Sequence, residues 1–231
     1  MRKITLSILG LIACTTTALA QEVKFGPKAG VNFASINGKV TEEGETFKFS
    51  DGITGFHVGA FAEIKINDKF SIQPELLYSV QGAKHEESGT ITEMGETYSF
   101  ESKSKWNLHY INIPVMAKFY VIPSVAIEAG PYVGFNIKSE AEEDYTETLN
   151  NDTFTYNEKL DMKKGTNSID FGFCAGASFN MENGFFVGAR YNLGLAKISK
   201  DAKWNDGDTE IETTKEDFKN GVFQVSVGYK F

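Results

Sequence analysis

Val23-Lys24-Phe25-Gly26-Pro27-Lys28-Ala29-Gly30-Val31-Asn32-Phe33 alternates without a break. Its odd positions are Val, Phe, Pro, Ala, Val and Phe. Its even positions are Lys, Gly, Lys, Gly and Asn. A period of two marks an extended strand, whose successive side chains point to opposite faces. One face of this stretch is apolar; the other holds lysine, asparagine and glycine.

The same pattern returns along the chain, over 56–66, 70–81, 111–119, 125–136, 169–179, 185–194 and 223–231. The 111–119 segment is less clean, and a bulge near Trp106 would shift its phase. Segments of about ten alternating residues match a tilted strand crossing a bilayer. A soluble sandwich also alternates, so the connections decide. Short turns fall at Asn67-Asp68-Lys69, at Val121 to Ser124 and at Met181 to Gly184. Long loops fall near 37–53, 84–105, 139–167 and 199–220. Alternating short and long connections belong to a membrane barrel with short periplasmic turns and long extracellular loops. Aromatics gather at strand ends: Phe25, Phe70, Phe119, Phe179, Phe185 and Tyr229 at one level, Phe33, Phe56, Tyr78, Phe135, Phe171 and Tyr191 at the other. Two such girdles suit the two interfaces of a bilayer. The expected fold is all-β: a single transmembrane antiparallel up-and-down β-barrel of about eight strands.

The face opposite the apolar one holds charges of both signs. Lys28, Glu63, Lys65, Glu75, Lys118, Glu128, Asp170, Arg190 and Lys230 are the candidates to line the lumen. In a barrel of about eight strands such side chains fill the interior. Unpaired charges there are costly, so these residues are expected to form an ion-pair network. Inward glycines such as Gly30, Gly130 and Gly176 make room for long side chains.

The ends of the chain carry signals. Arg2 and Lys3 precede an apolar run from Ile4 to Ala13, and Ala18-Leu19-Ala20 is an A-x-A cleavage site. This reads as a secretory signal peptide over residues 1–20, leaving 21–231 as one barrel domain. Leu11-Ile12-Ala13-Cys14 offers a minor alternative, a lipoprotein anchored at Cys14. The apolar run is too short to span a bilayer as a helix, which needs about 20 residues. Mean hydropathy is -0.26, an average that alternation makes uninformative. A net charge of -8 argues against a nucleic-acid partner. Cys174 alone remains after cleavage, so neither an internal disulfide nor a cysteine metal site is expected.

Several ordered stretches resemble a known family. They are Lys28-Ala29-Gly30-Val31-Asn32, Gly55-Phe56-His57-Val58-Gly59, Ile72-Gln73-Pro74-Glu75-Leu76-Leu77-Tyr78-Ser79, Tyr110-Ile111-Asn112-Ile113-Pro114-Val115, Gly130-Pro131-Tyr132-Val133-Gly134, Gly188-Ala189-Arg190-Tyr191 and Gly228-Tyr229-Lys230-Phe231. Together they resemble the small outer-membrane β-barrel family of Bacteroidetes-type bacteria, porin-like or PorT-like. The resemblance implies location in the bacterial outer membrane, among lipid and lipopolysaccharide. It also implies that Phe231 serves as the C-terminal signal for barrel-assembly machinery. It implies no single activity.

No catalytic set can be assembled around His57, His85 and His109, and no cofactor motif is present. The acidic groups Asp206, Asp208, Glu210 and Glu212, and Glu140, Glu142, Glu143 and Asp144, suit a solvated surface better than a Ca²⁺ or Mg²⁺ site. The expected role is therefore non-enzymatic: structural, or binding an unidentified protein or ligand through acidic extracellular loops, with a side-chain-filled lumen. The alternatives are a small porin-like channel for ions or small solutes and an accessory component of a secretion system. A wide porin needs roughly 16–18 strands, more than this length supplies.

Overall fold

The computed structural model describes residues 22–38, 40–42, 45–47, 49, 51–93, 96–149, 152–200, 203–206, 209–212 and 217–231. The expected signal peptide and Cys14 lie outside them. Thirteen strands follow in order: β1 (Val23–Asn37), β2 (Val40–Glu42), β3 (Glu45–Phe47), β4 (Asp51–Lys65), β5 (Phe70–Glu93), β6 (Glu96–Ile122), β7 (Val125–Leu149), β8 (Asp152–Asp161), β9 (Ile169–Asn180), β10 (Phe185–Gly194), β11 (Lys203–Asp206), β12 (Thr209–Glu212) and β13 (Lys219–Tyr229).

Eight of these close a ring in the order β1-β4-β5-β6-β7-β9-β10-β13. The first and last strands seal it, antiparallel, from Lys28↔Gly228 to Asn37↔Lys219. All main-ring pairings are antiparallel between sequence neighbours. Closure leaves no first or last strand open around the ring, which a chain in lipid requires. Among the described residues no helix is long and apolar enough to cross a membrane.

Alternation is written directly into exposure. On β1, Phe25 is 61% and Phe33 53% exposed, while Lys28 is 3% and Asn32 0% exposed. Phe173, Leu76 and Val227 continue the outward apolar belt. So continuous an apolar surface far exceeds the patches seen on soluble monomers; hydrocarbon removes its cost. The aromatics meet across strands at both levels. Phe70 packs on Phe119 and Phe185 on Tyr229 at the short-turn end, and Phe33 on Phe223 and Phe56 on Tyr78 at the other.

Two expected loops are corrected. Residues 84–105 and 139–167 are largely strand, because β5, β6 and β7 run on for 24, 27 and 25 residues. Both stretches alternate polar with aromatic or apolar residues, as in Thr90-Ile91-Thr92 and Thr153-Phe154-Thr155-Tyr156. That polarity disguises strand as loop, yet cross-strand pairing sustains it. Beyond Lys84 the other edge of β5 has no partner among the described residues, since its pairing with β4 ends at Asp51↔Lys84. β7 changes neighbours: Val125–Phe135 pairs with β9, and Glu140–Leu149 with β8. The result is a four-stranded sheet, β5-β6-β7-β8, projecting from the long-connection end. Ten residues per strand at ~3.3 Å each carry it roughly 30 Å outward. The 37–53 and 199–220 connections contain the small hairpins β2–β3 and β11–β12.

Candidate functional site

The inward side chains form three layers. The middle layer is built by strands remote in sequence. Glu75 on β5 receives Lys28 Nζ from β1 at 3.1 and 3.2 Å and meets Arg190 Nη1 from β10 at 3.0 Å. Gln73 Nε2 donates to the same carboxylate at 2.8 Å. Lys28, Glu75 and Arg190 are each only 3% exposed. One carboxylate between two cations at such burial leaves little tolerance for loss of a partner. Arg190 Nε also donates to Gln224 Oε1 at 2.8 Å, and Gln224 Nε2 donates to Asn32 Oδ1 at 2.8 Å.

The layer at the short-turn end joins Lys118 to Glu63 and Glu128 at 3.6 and 3.7 Å, and Lys230 to Glu63 at 2.6 Å. Tyr120 donates its hydroxyl to Glu63. Both lysine ammoniums sit 5.5 Å from the Phe186 ring centroid. Below this layer a vestibule of about 650 Å³ opens, lined by Glu63, Tyr120, Lys230 and rim residues including Lys65 and Phe231.

Seven of the nine sequence candidates thus meet in two ion-pair groups. Two do not. Lys65 lies at the rim, its side chain 43% exposed, and reaches Glu22 and Asp68 at 3.7 and 3.4 Å. It sits at the end of β4, where the strand leaves the interior. Asp170 is buried but has no cation partner among the described residues. Tyr132 and Asn220 donate to it, each at 3.0 Å. Phe231 is 69% exposed. Its backbone N–H donates to the Phe25 carbonyl at 2.9 Å, and its ring packs on Phe25 and Tyr229.

Sequence reasoning assembles no histidine constellation, but the ring brings one together. His57 Nδ1 lies 2.8 Å from Asn32 Oδ1, and Nε2 lies 2.9 Å from Ser226 Oγ. An amide oxygen only accepts, so Nδ1 carries the proton. A neutral ring then accepts from Ser226 at Nε2. The order serine, histidine, asparagine copies a nucleophilic relay. The three residues are 5%, 1% and 0% exposed and hold one another by hydrogen bonds inside the lumen. Residues 32, 57 and 226 share no motif; only inward parity on β1, β4 and β13 connects them.

The third layer is apolar and also has no sequence signature. Ile36, Ala83, Leu108, Tyr110, Ile198 and Phe218 form a buried cluster, with Phe49 and Trp106 packed against it. Phe49 stacks edge-on against both Trp106 and Phe218. It stoppers the end from which the sheet projects.

On that sheet the acidic residues divide. Glu140 and Glu142 take Lys138 and Lys159 at 2.8 Å each. The hydrogen bond from Lys138 holds the Glu140 carboxyl below its ordinary range, and that from Lys159 does the same for Glu142. The side chains of Asp206, Asp208, Glu210 and Glu212 lie outside the described residues. Among those described, no His, Cys, Asp and Glu group is arranged to hold a metal ion.

A family model described as the outer membrane protein beta-barrel domain matches residues 19–200. No curated protein matches the chain. Among solved structures, it is similar to Ail, the attachment invasion locus protein of Yersinia pestis, at 12% identity over 91% of this chain and 99% of that one, with a TM-score of 0.42. It is similar to Neisserial surface protein A at 15% identity over 91% and 99%, TM-score 0.35. The outer membrane protease OmpT of Escherichia coli shows 9% identity over 94% and 100%, TM-score 0.33.

Proposed function

Because the chain belongs to the outer membrane protein beta-barrel domain family, we propose that it is a non-enzymatic surface protein that acts by binding through the elements it projects beyond the membrane. One observation carries this reading. The lumen is filled at the level of Glu75 and stoppered by the apolar cluster around Leu108 and Tyr110, while β5 to β8 continue outward as an ordered sheet. Ordered chain thus extends outside the barrel, while side chains occupy its inside at both of these levels. A ring of eight strands is expected to be filled by its own side chains.

In this reading residues 1–20 are removed on export and 21–231 form the working domain. Phe231, at the exposed short-turn rim, is presented to assembly machinery. Lipid and lipopolysaccharide surround the apolar belt. The ordered stretches from Lys28 to Phe231 support kinship with the Bacteroidetes-type, porin-like or PorT-like branch. The test is conductance of refolded residues 21–231 in a planar bilayer. Silence after verified insertion is expected. Steady, reproducible openings overturn the reading in favour of a small channel.

A further inference from the structure

The projecting sheet has two chemically different faces. Register alone assigns them. Lys84, Lys103, Lys105 and Lys159 share the outer face with Glu86, Glu101, Glu140 and Glu142. Every one of these lysines has a carboxylate within 4 Å. On that face carboxylates, Asp144 and Asp161 among them, stand interleaved with lysines, so charges of both signs neighbour one another.

The inner face continues the lumen side of the barrel and overhangs its mouth. It carries Glu87, Glu143, Glu147 and Glu158, and no lysine or arginine falls on it among the described residues. None of these four carboxylates has an ion-pair partner there. Between them stand aromatic rings: Tyr98, Phe100, Tyr145, Phe154 and Tyr156. Phe154 is 62% and Tyr156 58% exposed. Tyr156 donates its hydroxyl to Glu158 at 2.8 Å, and Tyr98 lies 2.8 Å from Tyr145, oxygen to oxygen. Carboxylates interleaved with aromatic faces both attract cations, the second through the ring quadrupole. Among the described residues the edge beside this chemistry is open, because there β8 pairs only with β7. An unpaired edge is a template for an incoming strand.

We propose that the inner face and the free edge of β8 form a docking surface for an extended, lysine- or arginine-rich segment of another protein. The segment adds to β8 as a further antiparallel strand, its threonine-type positions opposite Thr153, Thr155 and Asn157, whose backbone groups face the free edge. Alternate cationic side chains then fall beside Phe154, Tyr156 and Glu158, and the intervening side chains fall beside Thr153, Thr155 and Asn157. Main-chain hydrogen bonds supply affinity, and the alternating face supplies selectivity. The inference rests on the reading of the protein as a surface binder and names its partner class.

The experiment uses the refolded mature chain in lipid nanodiscs and a fluorescein-labelled ten-residue peptide alternating lysine and threonine, followed by anisotropy. Saturable binding that weakens with added salt is expected. A matched peptide alternating glutamate and threonine is expected not to bind. Replacing two threonines by proline, with charge unchanged, is expected to weaken binding tenfold or more by removing edge donors. The combined substitution Glu143→Gln, Glu147→Gln and Glu158→Gln is expected to weaken it similarly, and Lys103→Gln with Lys105→Gln on the outer face is expected to leave it unchanged. The inference is overturned by no binding of the lysine peptide, by equal binding of the glutamate or proline peptides, or by indifference to the glutamate substitutions. Conductance of the same refolded protein in a planar bilayer separates the two failures. A silent barrel that ignores the peptide sinks only the docking surface, whereas a conducting one sinks the binder reading beneath it.

Discussion

The strands β5, β6 and β7 pass through two environments. In the barrel their inward charges are buried and paired with strands far away in sequence, as Glu75 is with Lys28 and Arg190. In the projecting sheet charges pair with cross-strand neighbours on an exposed face, as Lys105 and Lys159 do with Glu142. The residue types are the same. What differs is the solvent removed around them. In water an ion pair gains little, because each partner is already well solvated. In the buried lumen neither partner has that alternative, so loss of one strands the other.

The sharpest way to break this contrast is Glu75→Gln, which keeps the shape and leaves two buried cations facing each other. A loss of about 3–5 kcal/mol is expected, read from urea unfolding of the refolded barrel by tryptophan fluorescence. Converting Lys28, Glu75 and Arg190 together to methionine, leucine and methionine should recover most of it, since an apolar core needs no pairing. A triple variant as damaged as the single one would show that packing, not charge, dominates the layer.

Gly30 tests packing in the same layer. A Cβ there would stand 2.0 Å from the Val225 carbonyl oxygen and 2.6 Å from His57 Cε1. Gly30→Ala is expected to cost about 1–3 kcal/mol, the usual range for overpacking. An unchanged midpoint would mean the lumen is looser than its contacts.

The same carboxylate-to-amide change in the projecting sheet should do far less. Glu142→Gln cuts contacts to Lys105 and Lys159, yet at the surface about 0.5 kcal/mol or less is expected, measured by hydrogen exchange of β8 amides. A loss comparable to that of Glu75→Gln would erase the distinction between the two regions.

The smallest effect is one of pH. Lys138 and Lys159 hold the Glu140 and Glu142 carboxyls below the ordinary value of 4.5. A depressed carboxyl stabilises the fold above its unfolded pKa, and that contribution disappears as pH falls through the folded one. Protection of β8 should therefore be constant from pH 7 down to about 4.5 and decline slightly below it. Protection that rises on acidification would reverse the sign.

Much of this was legible early. Period-two alternation in stretches such as 23–33 and 169–179 sets which side chains face lipid and which face inward, and connection lengths set the antiparallel order. Parity placed Lys28, Glu75, Lys118 and Arg190 on the inward face. It could not say that Lys65 ends up at the rim, because strand tilt decides how far along each strand the lumen extends. It could not pair Asp170 with tyrosine and asparagine instead of a cation, because the relative stagger of β7, β9 and β13 decides which inward residues share a level. The polar alternation of 84–105 and 152–161 was masked by its hydrophilicity, and only pairing to neighbouring strands identified it as sheet.

The sequence by itself determined an all-β barrel, its approximate strand number and the identity of its two faces, because alternation is a local property of consecutive residues. Only the tertiary structure decided which charges meet, that Ile36, Leu108, Tyr110 and Phe218 stopper the ring, and that β5 to β8 leave it as a two-faced sheet. Those features depend on register between strands up to two hundred residues apart. Register is fixed when the ring closes, and no local pattern encodes it.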